Sequence, residues 1–103
     1  MIAVHVLLDK MYEYEQENRQ IAKGYGPFHI TYTRWDDLKY VRKMKFHEVI
    51  HREPSELFIV NWWKANCPDA LKDMDIKTLL ISWYGVVIGT DKWWAQNDIT
   101  KVG

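Results

Sequence analysis

LKYVRKMKFHEVIH, residues Leu38 to His51, decides the fold, because it combines the densest positive charge of the chain with a motif of chemical meaning. Within it, His47-Glu48-Val49-Ile50-His51 matches H-E-x-x-H, in which two histidines one helical turn apart hold zinc and the glutamate activates a metal-bound water. That chemistry requires a helix. In a strand, side chains four residues apart are separated by roughly 13 Å, too far for one ion to hold both imidazoles. Counting by twos places Leu38, Tyr40, Met44, Phe46 and Ile50 on one face and Lys39, Val41, Lys43, Lys45, His47, Val49 and His51 on the other. A helical projection gives the same residues no common apolar side. The spacing therefore predicts a strand, with a bulge near Arg42 or Glu48 to accommodate its length.

Working outward, Phe28, Ile30 and Tyr32 alternate with His29, Thr31 and Thr33 in a run of β-branched and aromatic residues, which predicts a partner strand over Phe28–Arg34. Trp35-Asp36-Asp37 would turn it into the Leu38 strand, giving an antiparallel hairpin with one apolar and one wet face. On the N-terminal side, Val4, Leu7, Leu8 and Met11 have helical spacing, so a helix is expected over about Ala3–Ala22, ended by Gly24. Gly24-Tyr25-Gly26-Pro27 forces a turn.

On the C-terminal side, Pro54 and Ser55 open a helix through Asn66 that is apolar nearly all round, and Cys67-Pro68 closes it. Pro68–Asp73 reads as a polar connection. Asp75 is placed to cap a helix carrying Ile76, Leu79, Leu80, Trp83 and Val87 to Gly89, although Val86-Val87-Ile88 also reads as a short strand. Thr90 or Asp91 would cap a last turn through Trp93-Trp94. The expected fold is α+β: one domain over residues 1–103, with an N-terminal helix, a central antiparallel β-hairpin, and C-terminal helices packed on one sheet face.

Charge and cysteine content narrow the function classes. Fourteen basic and fourteen acidic residues cancel, so no global charge demands nucleic acid or an anionic membrane. One cysteine, Cys67, excludes an intramolecular disulfide and any cysteine-based zinc cluster, which fits a reducing compartment. The N-terminus has no basic region preceding its apolar residues, and no run is long enough to span a bilayer. A soluble, cytoplasmic protein without membrane partners is expected.

Six tryptophans in 103 residues are the strongest compositional signal. Adjacent helical residues point about 100° apart, so in Trp62-Trp63 and Trp93-Trp94 the two rings of a pair cannot share one buried stripe. Tryptophan at a surface is the residue type most enriched in binding hot spots. The expected function is therefore non-enzymatic binding of another protein chain, a second copy of itself included, through Trp62, Trp63, Trp93 and Trp94, with no cofactor. Two alternatives come from the opening stretch. A zinc-dependent hydrolase would use His47 and His51 as ligands and Glu48 as base, with Glu56, Asp69 or Asp73 as candidate third ligands. A nucleic-acid-binding sheet face would use Lys39, Lys43 and Lys45 on phosphates. In the strand reading Tyr40 and Phe46 point away from those lysines, which leaves the cations without stacking platforms.

Overall fold

A computed structural model describes residues 4–18, 24–38 and 44–96, and these are helical with no strand among them. Helix α1 (Val4–Asn18) buries Leu7, Leu8, Met11, Tyr14 and Glu15, a stripe at helical spacing that confirms the N-terminal helix over its described part. Its proposed continuation to Ala22 lies outside the described residues.

Among the described residues the expected hairpin is absent. Tyr25 and Ile30 make a single antiparallel bridge, each backbone N–H donating to the other's carbonyl at 3.0 Å, around a tight turn closed by the His29 N–H on the Gly26 carbonyl. Phe28 and Ile30 are buried, so the alternation read from the sequence is present, but it belongs to a turn folded over α1. The chain then leaves extended structure at Thr31, whose hydroxyl accepts the Arg34 N–H and caps helix α2 (Tyr32–Asp36). Threonine there is a helix start signal, although its β-branching reads equally as strand propensity.

The second strand is corrected as well. Residues 39–43 lie outside the described residues, and from Phe46 to Ile50 the chain forms a 3₁₀ helix. Its apolar residues Phe46 and Val49 are three apart, the repeat of a 3₁₀ turn and a spacing that strand alternation sets on opposite faces. Val49, assigned by alternation to the wet face, is fully buried, while Ile50, assigned to the core, is about half exposed. The α+β architecture with a central sheet is thus replaced by a helical one.

Helix α3 (Arg52–Asn66) carries Pro54 in its first turn, where a missing N–H costs nothing. It buries one stripe, Ser55, Phe58, Ile59 and Trp63, and leaves Leu57 exposed, so it is less apolar all round than its composition suggests. Pro68 opens α4 (Pro68–Asp73) where a polar connection was expected. Asp75 caps α5 (Ile76–Tyr84), which Gly85 interrupts before α6 (Val86–Gly89); the alternative strand over Val86–Ile88 is absent. Asp91 accepts the Trp93 N–H at the start of α7 (Lys92–Gln96). Helix α3 packs on the 3₁₀ turn, α4 and α5, and α5 packs on α6. Tyr14 joins α1 to α5 and α7, its ring lying 5.4 Å from Tyr84 and 5.0 Å from Trp94. No described helix is long and apolar enough to cross a membrane.

The Asp75 cap gives a pH test. Its carboxylate accepts the Thr78 hydroxyl at 2.7 Å and the Thr78 N–H at 3.3 Å, and the hydroxyl bond is the main cause of a pKa below the ordinary aspartate value. A lowered folded-state pKa contributes stability that is present above the unfolded value of about 3.9 and lost as pH falls through the folded value. Asp75→Asn keeps a capping oxygen but does not titrate. Thermal melts across the acid range should therefore flatten in this variant below about pH 4, and an unchanged acid limb would exclude the cap as a contributor.

Candidate partner-binding surface

The described residues present an aromatic patch built by three elements. Tyr25 from the turn and Tyr32 and Trp35 from α2 all meet the ring of Phe46 from the 3₁₀ turn. Phe46 lies 4.9 Å from Tyr25, 5.3 Å from Tyr32 and 5.5 Å from Trp35, all edge-on. Trp35 is buried beneath, but Tyr25 is 49% and Tyr32 57% exposed, and Ile50, whose backbone lies against Gly26, is 51% exposed. Large apolar side chains half open to water and contiguous with one another are the feature that distinguishes a contact surface from scattered exposed residues.

The support under this patch is specific. Helix α1 holds the turn from below. The Tyr12 and Phe28 rings meet edge-on at 6.0 Å, Gln16 Nε2 donates to the Pro27 carbonyl at 2.9 Å, and His29 Nδ1 donates to Glu15 at 3.0 Å. Glu15 is fully buried, so its carboxylate depends on such partners for the solvation it has lost. The turn in turn packs against the 3₁₀ segment at Gly26, which faces the Val49 carbonyl and Ile50. The Ser55 hydroxyl, buried at the start of α3, fixes that segment from the other side, within reach of both the Val49 and His51 carbonyls.

The tryptophan pairs divide as helical geometry requires. Trp63 is fully buried and its indole N–H donates to the Leu79 carbonyl at 3.0 Å; Trp94 is 8% exposed. Trp62 and Trp93 are half-buried. The Arg34 guanidinium lies 4.8 Å from the Trp62 ring centre and 4.2 Å from that of Trp83, and it also donates to the Trp83 carbonyl. This arginine clamps α2 to α3 and α5, a cation–π arrangement worth about 0.5–2 kcal/mol. Trp93 donates to Glu17 at 2.9 Å, tying α7 to α1. Both half-buried rings therefore have intramolecular work, and Tyr25, Tyr32 and Ile50 offer more open surface than either.

The H-E-x-x-H residues fall on the 3₁₀ turn and its end. Successive side chains on a 3₁₀ helix are about 120° apart, so residues four apart diverge where an α-helix would align them. His51 diverges further, having extended backbone at φ −97°, ψ 145°, and both histidines are exposed. Glu48 accepts the backbone N–H of Lys45 at 3.1 Å, closing the turn. Among the described residues no three His, Cys, Asp or Glu side chains are grouped so that they could hold a metal ion. The single extended strand expected to carry both histidines is replaced by this turn.

Of the basic run, Lys45 is exposed next to Phe46, and Lys39 and Lys43 lie outside the described residues. Arg52 is engaged, donating to Glu56 at 2.8 Å and Asp9 at 2.6 Å and stacking 4.1 Å from the Tyr12 ring centre. Its pKa is raised above the usual arginine value, chiefly by the Glu56 bond. It belongs to the framework between α1 and α3. Sequence reasoning missed Tyr25 and Tyr32, placing one in a turn and the other on a buried strand face; the signal for Tyr32 was the Thr31 cap, which starts a helix whose first residue points outward.

Comparison with protein-family profiles, with curated proteins and with solved structures finds no match to this chain.

Proposed function

We propose that the chain is a protein-binding domain whose partner seats on Tyr25, Tyr32, Phe46 and Ile50. The observation that carries this reading is the half-exposed, contiguous aromatic patch on a rigidly held turn, since large aromatics fixed in place lose little entropy on binding. Trp62 and Trp93, whose rings are partly open, are the members of the tryptophan pairs with surface left to offer.

The test is a photo-crosslinking amino acid placed at Tyr32 in the full chain, with the exposed Lys64 as control position. A discrete crosslinked species is expected from position 32 and not from 64. A mass of two chains would identify the partner as a second copy. Ile50→Asp and Tyr25→Ser, both at exposed positions, should leave the fold intact while reducing crosslinking by roughly tenfold or more, the scale of a hot-spot residue. Identical patterns from positions 32 and 64 would overturn the reading.

One observation supports nucleic acid as a second reading. Lys45 is exposed at the start of the turn whose next residue, Phe46, contacts the exposed rings of Tyr25 and Tyr32, so the strict alternation that set cation and rings on opposite faces is gone. Single-stranded DNA labelled for anisotropy should then bind at low salt, with affinity falling steeply as salt rises. Neutralising Lys39, Lys43 and Lys45 together should flatten that slope. Absence of binding at low salt removes this reading and leaves the protein partner standing.

A further inference from the structure

Away from the aromatic patch, α5, α6 and α7 line an open cleft of about 340 Å³. Its apolar walls include Ile76, Leu80 and Trp94, and Lys77 and Asp91 also line it. Gly89 forms part of the wall without a side chain, and its close approach to Ile81, where an added Cβ would come within 3.0 Å of the Ile81 Cα, keeps α6 tight against α5. The two charged residues are exposed, and among the described residues neither makes a close ion pair, the Lys77 charge acting on the Asp75 carboxylate only at longer range. Asp91 is oriented by its bond to the Trp93 N–H at 3.2 Å through one carboxylate oxygen, which leaves the second oxygen for a ligand.

We infer that this cleft binds a small zwitterion with an apolar body, of which a free apolar α-amino acid is the simplest. The volume lies near the lower end of ligand-binding cavities, the size of one such molecule rather than of a nucleotide. An entirely apolar ligand would leave the Lys77 and Asp91 charges partly desolvated with nothing in return, a dianion would meet Asp91, and a dication would meet Lys77. A zwitterion answers both charges, its carboxylate toward Lys77 and its ammonium toward Asp91, with the apolar side chain against Ile76, Leu80 and Trp94. This inference is independent of the proposed protein partner.

The experiment uses the full chain with ¹³C-labelled isoleucine and leucine methyls, titrated with free leucine and, separately, with isopentylamine and 4-methylpentanoate. Leucine should give saturable shifts of the Ile76 and Leu80 methyls, with each half-ligand weaker. Lys77→Gln and Asp91→Asn, the latter keeping a capping oxygen for α7, should each weaken leucine roughly two- to fivefold, as befits exposed charge pairs. Three results would overturn the inference: no saturable shift at any attainable leucine concentration, half-ligands that bind as well as leucine, or unchanged affinity in both variants.

Discussion

Trp63→Ala is expected to destabilise the chain by about 3–5 kcal/mol, the range for removing a buried tryptophan, whereas Trp62→Ala, one residue away, should cost about 1–2 kcal/mol. Trp63 is fully buried at the centre of the α3 stripe, and its indole N–H bonds the Leu79 carbonyl across to α5. Removing it opens a cavity in a small core and removes the side-chain hydrogen bond between those two helices, leaving the Phe58 and Trp62 contacts with Trp83 to join them. Trp62 loses its stacking with Arg34 and its edge contact with Trp83, 5.7 Å away, but its site is already half open to water. For a domain with total stability near the lower end of about 5–15 kcal/mol, the Trp63 variant should keep no more than about 2 kcal/mol of it. Trp63→Phe refines the test, because it keeps much of the volume and removes the donor, at about 1 kcal/mol for the bond alone. Urea unfolding followed by circular dichroism measures all three. Equal costs for Trp62→Ala and Trp63→Ala would contradict the burial assigned to the pair.

That contrast was legible in the sequence as geometry, and its assignment was not. Adjacent helical residues diverge by about 100°, so one ring of each pair had to approach the surface. Which ring stays inside depends on where Phe58 and Ile59 fix the stripe, and that required knowing what α3 packs against. Other features were legible because their chemistry is local: Asp75 as a cap, Pro68 beside the end of α3, the helix beginning near Val4, and a turn at Gly26-Pro27, which runs on through His29 where a strand was expected. The middle of the chain was misread for a physical reason. Phe28 and Ile30 are both buried and both flank an exposed or half-buried residue, so their pattern is that of a strand even though only one bridge forms. Thr31-Tyr32-Thr33 has high strand propensity, yet the Thr31 hydroxyl caps a helix, a case of one residue satisfying two local preferences that only tertiary contacts separate. For 46–50 the decisive spacing was three, which the strand template could not place, since alternation sets Ile50 with Phe46, and Val49 opposite them. The candidate site inherited these errors: Tyr25, Tyr32 and Ile50 become a surface only once the hairpin is replaced by a turn, a short helix and a 3₁₀ segment.

Gly26→Ala should uncouple that surface from its support. Gly26 has φ +75°, in the region that side chains other than glycine's rarely enter, and an added Cβ would lie 2.0 Å from the Val49 carbonyl oxygen. The neighbour is backbone, fixed from behind by Ser55, so it cannot rotate away as a flexible side chain would. Conformational strain of about 1–3 kcal/mol and an overpacking cost of about 1–3 kcal/mol both apply. Gly85→Ala separates the two. Gly85 also has positive φ, at +87°, but an added Cβ there meets nothing within 4 Å, so it carries the conformational cost alone. Gly26→Ala should therefore exceed Gly85→Ala by at least about 1 kcal/mol in thermal or urea unfolding. It should also shift the turn off the 3₁₀ segment, separate Tyr25 from Phe46 and reduce crosslinking from position 32, none of which Gly85→Ala should do. Matching stabilities for the two alanine variants, with crosslinking unaffected in both, would mean that the turn does not rest on Val49 and that the aromatic patch is not held as a unit.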